Sequence, residues 1–150
     1  MRKKKTPRLR SGQVKKVRAI IYDIKNDRLC FLILHRTLRW KGWEFLKETI
    51  EKGETPLKAV KRGIREEAQI KKFEIIKDLK KKEKWQVGEN IYEIVSTFLI
   101  KAEMRQKISL KQEIIEHDKY QWVDKKTALK KITWPETREI LKRINRSLFI

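Results

Sequence analysis

Residues 43–70 read WEFLKETIEKGETPLKAVKRGIREEAQI. The stretch opens extended over Trp43, Glu44, Phe45 and Leu46, turns through Glu51, Lys52, Gly53 and Glu54, and restarts as a helix. Thr55 suits the N-cap, and Pro56 suits the first helical position, where its missing N–H costs nothing. Leu57, Val60, Ile64 and Ala68 recur at helical spacing and predict an apolar face. Gly63, Glu66 and Glu67 fall together on another face, where two adjacent carboxylates suit a hard divalent cation. An acidic pair on a helix is by itself a common solvated feature, so the spacing around it has to decide.

Outward from this stretch the chain alternates strands with few helices. Val17, Ala19 and Ile21 alternate with Lys16, Arg18 and Ile20, Asn26-Asp27 supplies a turn, and Leu29–Leu34 is a continuous apolar run suited to a buried strand. His35 reads as a strand-end hydrogen bonder. Phe73, Ile75 and Ile76 suggest a short strand, and KDLKKKEKW (77–85) an exposed hairpin arm. Lys80, Lys81, Lys82 and Lys84 beside Trp85 suit either a phosphate backbone with base stacking or a solvated charge run. Ile91–Ile100 predicts a long strand, 103–115 a loop, Tyr120–Val123 a short strand, and Asp124 and Pro135 each precede a helix. Ile140, Leu141, Ile144 and Leu148 give the last helix its apolar face. This order suits an α/β/α sandwich with a mixed sheet.

The chain has 150 residues, enough for one domain with its own core. We divide it into a basic flexible tail over 1–12 and a folded domain over 13–150. No apolar run reaches the roughly 18 residues of a membrane span, and the basic N-terminus has no apolar stretch behind it as a secretory signal would. The lone cysteine, Cys30, excludes an internal disulfide and fits a reducing cytoplasm. The net charge is +20, with nine basic and no acidic residues in positions 1–18. Such a balance favours polyanions, including RNA and polyphosphorylated nucleotides.

The central stretch resembles the nudix box, G-x5-E-x7-R-E-U-x-E-E-x-G-U, where U is a bulky aliphatic residue. Without gaps, Glu54, Arg62, Ile64, Glu66, Glu67 and Ile70 match six of its nine defined positions. Glu48 stands at the first Gly, Gly63 at the Glu after Arg, and Gln69 at the last Gly. Further on, E-H-D-x-Y-x-W-V (116–123) and T-x-P-x-x-R (133–138) resemble nudix hydrolases of the diadenosine tetraphosphatase branch, as does the WEFLK start. The resemblance implies a nudix-type α/β/α sandwich with a mixed β-sheet between helices. It also implies Mg²⁺ (or Mn²⁺) ions that activate water for attack at a pyrophosphate.

Carried onto this chain, the resemblance makes Glu66 and Glu67 metal ligands and has Glu54 pair with Arg62 to brace the helix start. Glu48 offers a further metal contact, and Glu116 an additional ligand or base. Lys47 would face substrate phosphates, and Trp134 would stack on a nucleobase or serve packing alone. Gly63 removes one carboxylate from the box, a degenerate feature. Two functions remain open at this point. One is Mg²⁺-dependent hydrolysis of a nucleoside diphosphate derivative, such as a dinucleoside polyphosphate or a capped or 5′-phosphorylated RNA end. The other is a catalytically impaired module that binds RNA or a ribonucleoprotein through the basic tail and the lysine-rich segment, with no membrane partner.

Overall fold

Asn26 and Asp27 both take positive φ, 51° and 67°, the conformation of a two-residue type I′ turn. They join β1 (Gly12–Lys25) to β2 (Arg28–Arg36) in a computed structural model that describes residues 12–145. Of the basic tail expected over 1–12, residues 1–11 lie outside the described residues, as does Leu148, and Gly12 opens β1. The two strands pair only near the turn, from Tyr22–Phe31 to Lys25–Arg28. Beyond that they part, and β3 (Gly42–Glu44) and β4 (Leu46–Thr49) fill the gap, β3 on β2 and β4 on β1. On the far side of β1, β6 (Ile91–Lys101) runs parallel to it, with β5 (Glu74–Gly88) antiparallel outside. β7 (His117–Asp124) covers the other edge of β2. The sheet is therefore mixed, as the element order predicts.

Strand side chains alternate between faces, and here each face has its own core. Val17, Ala19, Ile21, Leu32, Leu34 and Leu46 pack beneath the helix α1 (Pro56–Gly63) and its continuation, with Val60 and Ile64. Ile20, Tyr22, Phe31, Ile33 and Phe45 face α2 (Lys125–Lys131) and α3 (Pro135–Arg143), with Ala128, Ile140 and Leu141. The result is the expected sandwich of helices on both faces of one sheet.

Several local expectations change. The predicted helix does not stay α-helical to its end: α1 stops at Gly63 and Ile64–Ala68 forms a π-helical turn, closed by Gln69 in the left-handed region at φ 53°. The low helix propensity of glycine marks the change of winding. Leu57 is 40% exposed, and the small residues Ala59 and Gly63 beside Val60 make the contact surface instead, letting the helix close on the sheet. Residues 74–88 form one long strand rather than a short strand and a separate arm. Register shifts between Asp78 and Lys82, with Lys80 at φ 53°, let it follow β6. Trp85 is partly buried and lies under the Lys47 ammonium, 5.2 Å from the ring centre. β7 begins at His117, three residues ahead of the expected Tyr120.

Arg18, on the face of Ile20 and Tyr22, is 3% exposed. Its guanidinium donates to Glu83 on β5 at 2.7 Å, to Thr97 on β6 at 3.1 Å and to Thr137 on α3 at 3.5 Å. One buried cation thus ties three strands to a helix. Removing one partner of such a pair strands a charge out of water, so Glu83→Ala should lower the unfolding free energy in urea by about 3–5 kcal/mol. Replacing both, as Arg18→Met with Glu83→Leu, should lose less than the single change.

Candidate active site

Arg62, in the last turn of α1, organises the box residues. Its Nε and one terminal nitrogen donate to the two Glu54 oxygens at 2.7 and 2.9 Å, and the same terminal nitrogen donates to the Thr49 carbonyl at 2.7 Å. Glu66 lies 3.4 Å away, Glu48 3.6 Å and Glu51 3.8 Å. Burial alone would lower the guanidinium pKa, but the Glu54 hydrogen bond and the Glu48, Glu54 and Glu51 charges raise it well above the ordinary value. Glu54 also accepts from the Glu51 N–H at 2.8 Å, so the predicted brace fixes the turn before the helix as well as its start.

The two adjacent carboxylates of the π turn have different surroundings. Glu66 stays partly exposed beside Arg62, whereas Glu67 is 1% exposed and accepts from Gln112 at 2.7 Å. π turns recur at functional sites because the extra residue re-aims its neighbours. Here Glu67 converges with Glu116 and His117, one ligand atom of each lying within 4.8 Å of the others. Glu116 is fixed through its carbonyl, which accepts from the Thr37 and Leu38 N–H groups at 2.9 and 3.4 Å. The loop over 103–116 is fastened to the end of the π turn by Ser109 N–H to Ala68 carbonyl and by the Gln69 side chain to Lys111 carbonyl, both 3.0 Å.

His117 was not assigned from sequence. It is 3% exposed and its Nε2 lies 2.8 Å from Glu44. Burial would push the Glu44 carboxyl up, but His117, Arg36 and Lys47 together hold it below the ordinary value. An ionised Glu44 only accepts, so Nε2 carries the proton and Nδ1 keeps the lone pair in the neutral ring. A carboxylate behind an imidazole in this way is the usual support of a metal-ligating histidine. The signal in the sequence was its place directly after Glu116. The two carboxylates suit a hard divalent ion such as Mg²⁺ or Mn²⁺, and the imidazole nitrogen suits Mn²⁺ better than Mg²⁺.

The other predicted residues lie farther out. Alternation along β4 turns Leu46 and Glu48 toward α1 and Lys47 to the opposite face. There Lys47 pairs with Glu93, which also lies 3.3 Å from Lys16. Glu48 is 5% exposed and lines, with Glu51, Arg62, Lys47, Arg36 and Glu116, a small cleft at the open end of the sheet. Trp134 caps α3, 43% exposed, edge-on to Trp40 at 5.1 Å, and Trp40 in turn lies under Arg36 at 5.6 Å. It meets Trp40, which meets the cleft-lining Arg36. His35 bonds Asp118 at 2.7 Å at the strand end, as expected.

Residues 13–144 match the NUDIX domain, and the chain belongs to that family. Among solved structures, an Ap4A hydrolase from C. elegans in a binary complex superposes with a TM-score of 0.75 at 24% identity, over 86% of this chain and 93% of that one. The dihydroneopterin triphosphate pyrophosphohydrolase of E. coli gives 0.72 at 19%, over 87% and 93%. The NUDIX domain of Shewanella oneidensis NrtR, complexed with ADP ribose, gives 0.66 at 13%, over 88% and 86%. At these identities the likeness is one of fold. No curated protein matches the chain significantly. No helix among the described residues is long and apolar enough to cross a membrane.

Burial would push the Glu93 carboxyl up, and Lys16 and Lys47 outweigh it, so its pKa falls below the ordinary 4.5. Folded protein then binds fewer protons here than unfolded chain. The contribution is full above that ordinary value and is lost as pH falls through the lower folded one. Glu93→Gln should accordingly unfold more readily near pH 7 and lose less further stability between about pH 6 and about pH 3 than the parent, as read by thermal melts.

Proposed function

We propose that this chain is a divalent-metal-dependent hydrolase of a pyrophosphate bond in a nucleoside diphosphate derivative, acting in the cytoplasm. Its substrate class is a dinucleoside polyphosphate or a capped or 5′-phosphorylated RNA end. The observation that carries the proposal is the convergence of Glu67, Glu116 and His117 beside the Arg62 cluster. Glu67 and Glu116 would hold Mg²⁺ or Mn²⁺, with Nδ1 of His117 as the nitrogen donor, while Glu66 and Glu48 lie beside Arg62. The bound ion supplies charge neutralisation on the scissile phosphate and a water of lowered pKa.

The chain's own residues supply position. Gln112 holds the Glu67 carboxylate in one orientation, Glu44 fixes the His117 tautomer, and Arg62 ties Glu54 to the helix that leads to Glu66 and Glu67. A broad groove runs from His117 past Lys71, Lys72, Arg105, Lys107, Lys111 and Lys119, with Glu103 and Asp118 its only lining acids among the described residues. Such a cationic approach favours polyphosphate.

Hydrolysis of a nucleotide panel should require Mg²⁺ or Mn²⁺, stop with a chelator, and fall about 10²–10⁴-fold in Glu67→Gln. An unchanged rate in that variant would remove the site assignment. The same groove and the +20 charge favour a second reading, RNA binding without turnover. RNA affinity that falls steeply with salt in a protein inactive on every nucleotide would select it.

A further inference from the structure

Gly63 and Glu48 are in contact. A Cβ built on Gly63 would lie 2.9 Å from the Glu48 Cβ and 3.1 Å from its Cγ. The nearer atom is the root of the side chain, anchored to β4, so no rotation of Glu48 relieves the overlap. Position 63 can therefore hold a side chain only if position 48 gives up its own. In the box pattern these are the two positions where Glu and Gly stand the other way round.

We infer that the two departures are one exchange. Glu48 delivers from the strand the carboxylate that the pattern delivers from the helix. The inference rests on the metal-centre reading above. Three features support it: Glu48 points to the α1 face of β4, its carboxylate is 3.6 Å from Arg62, and it lines the same cleft as Glu116. Gly63 is one turn before Glu66 and Glu67, so Glu48, whose Cβ and Cγ lie over Gly63, stands beside the turn that carries those carboxylates. The Glu48 Oε1 accepts from the Thr49 N–H at 3.0 Å, which fixes the side chain's rotamer. The site is thereby rearranged rather than depleted, and Glu48 serves as metal ligand or as acceptor for metal-bound water.

The test uses the full chain with Mn²⁺ as probe, followed by titration calorimetry and thermal melts. Wild type, Glu48→Gln, Glu48→Gly, Gly63→Glu, the double Glu48→Gly/Gly63→Glu and Glu67→Gln are compared. Glu48→Gln, which keeps the shape, should bind Mn²⁺ about tenfold or more weakly. Gly63→Glu alone should melt lower than wild type, and the double change should recover both melting temperature and Mn²⁺ affinity beyond the sum of its singles. Additive single effects, or wild-type affinity in Glu48→Gln while Glu67→Gln loses Mn²⁺, would overturn the exchange and leave the metal centre standing. Equal Mn²⁺ binding in wild type and Glu67→Gln would overturn the metal centre itself, and the exchange with it.

Discussion

A single guanidinium holds this site together. Arg62 sits among Glu48, Glu51, Glu54 and Glu66, and donates to the backbone of Thr49. So many carboxylates in a partly desolvated space repel one another, and a guanidinium, which is always charged, offsets that repulsion at short range. Its planar fork also sets angles: Glu54 is gripped through both oxygens, which fixes the turn into α1 and hence the azimuth of everything after it. From the π turn that follows, Glu67 converges with Glu116 and His117.

The large elements were legible because they rest on local rules. The cap at Thr55, the proline after it, the Asn26-Asp27 turn and the two-residue alternation of β1 each express short-range sterics and the separation of apolar from polar side chains. The Glu54–Arg62 pair was likewise legible, but only through the resemblance to the nudix box, because Glu54 lies in the turn before α1 and Arg62 on the helix. What stayed hidden depends on contacts distant in sequence. The burial of Arg18 follows from Glu83 and Thr137, and the role of His117 from Glu44, with no nearby residue announcing either. Glu66 and Glu67 looked equivalent in sequence, and contacts from Arg62 and from Gln112, the latter distant along the chain, separate them. Lys47 is placed by strand parity, and its partner Glu93 lies on a strand 46 residues away.

The excess of positive charge is not uniform at the site. Glu93 answers Lys16 and Lys47, Glu44 answers Arg36, and the box acids answer Arg62. Around the carboxylates, therefore, most cations within the cleft are already matched, while the groove beyond His117 keeps a surplus of lysine and arginine. The protein thus separates a locally balanced acidic centre from a broad attractive approach.

The parallel pairing of β1 with β6 has a consequence for how the chain comes into being. Arg18 and Thr97 are hydrogen-bonded neighbours 79 residues apart, so the middle of the sheet has no partner while the first half of the polypeptide emerges from the ribosome. Contacts of such high order close late and slowly. Until β6 arrives, the long apolar run of β1 has one edge open to unwanted partners, and its flanking lysines are the charges that keep those partners away.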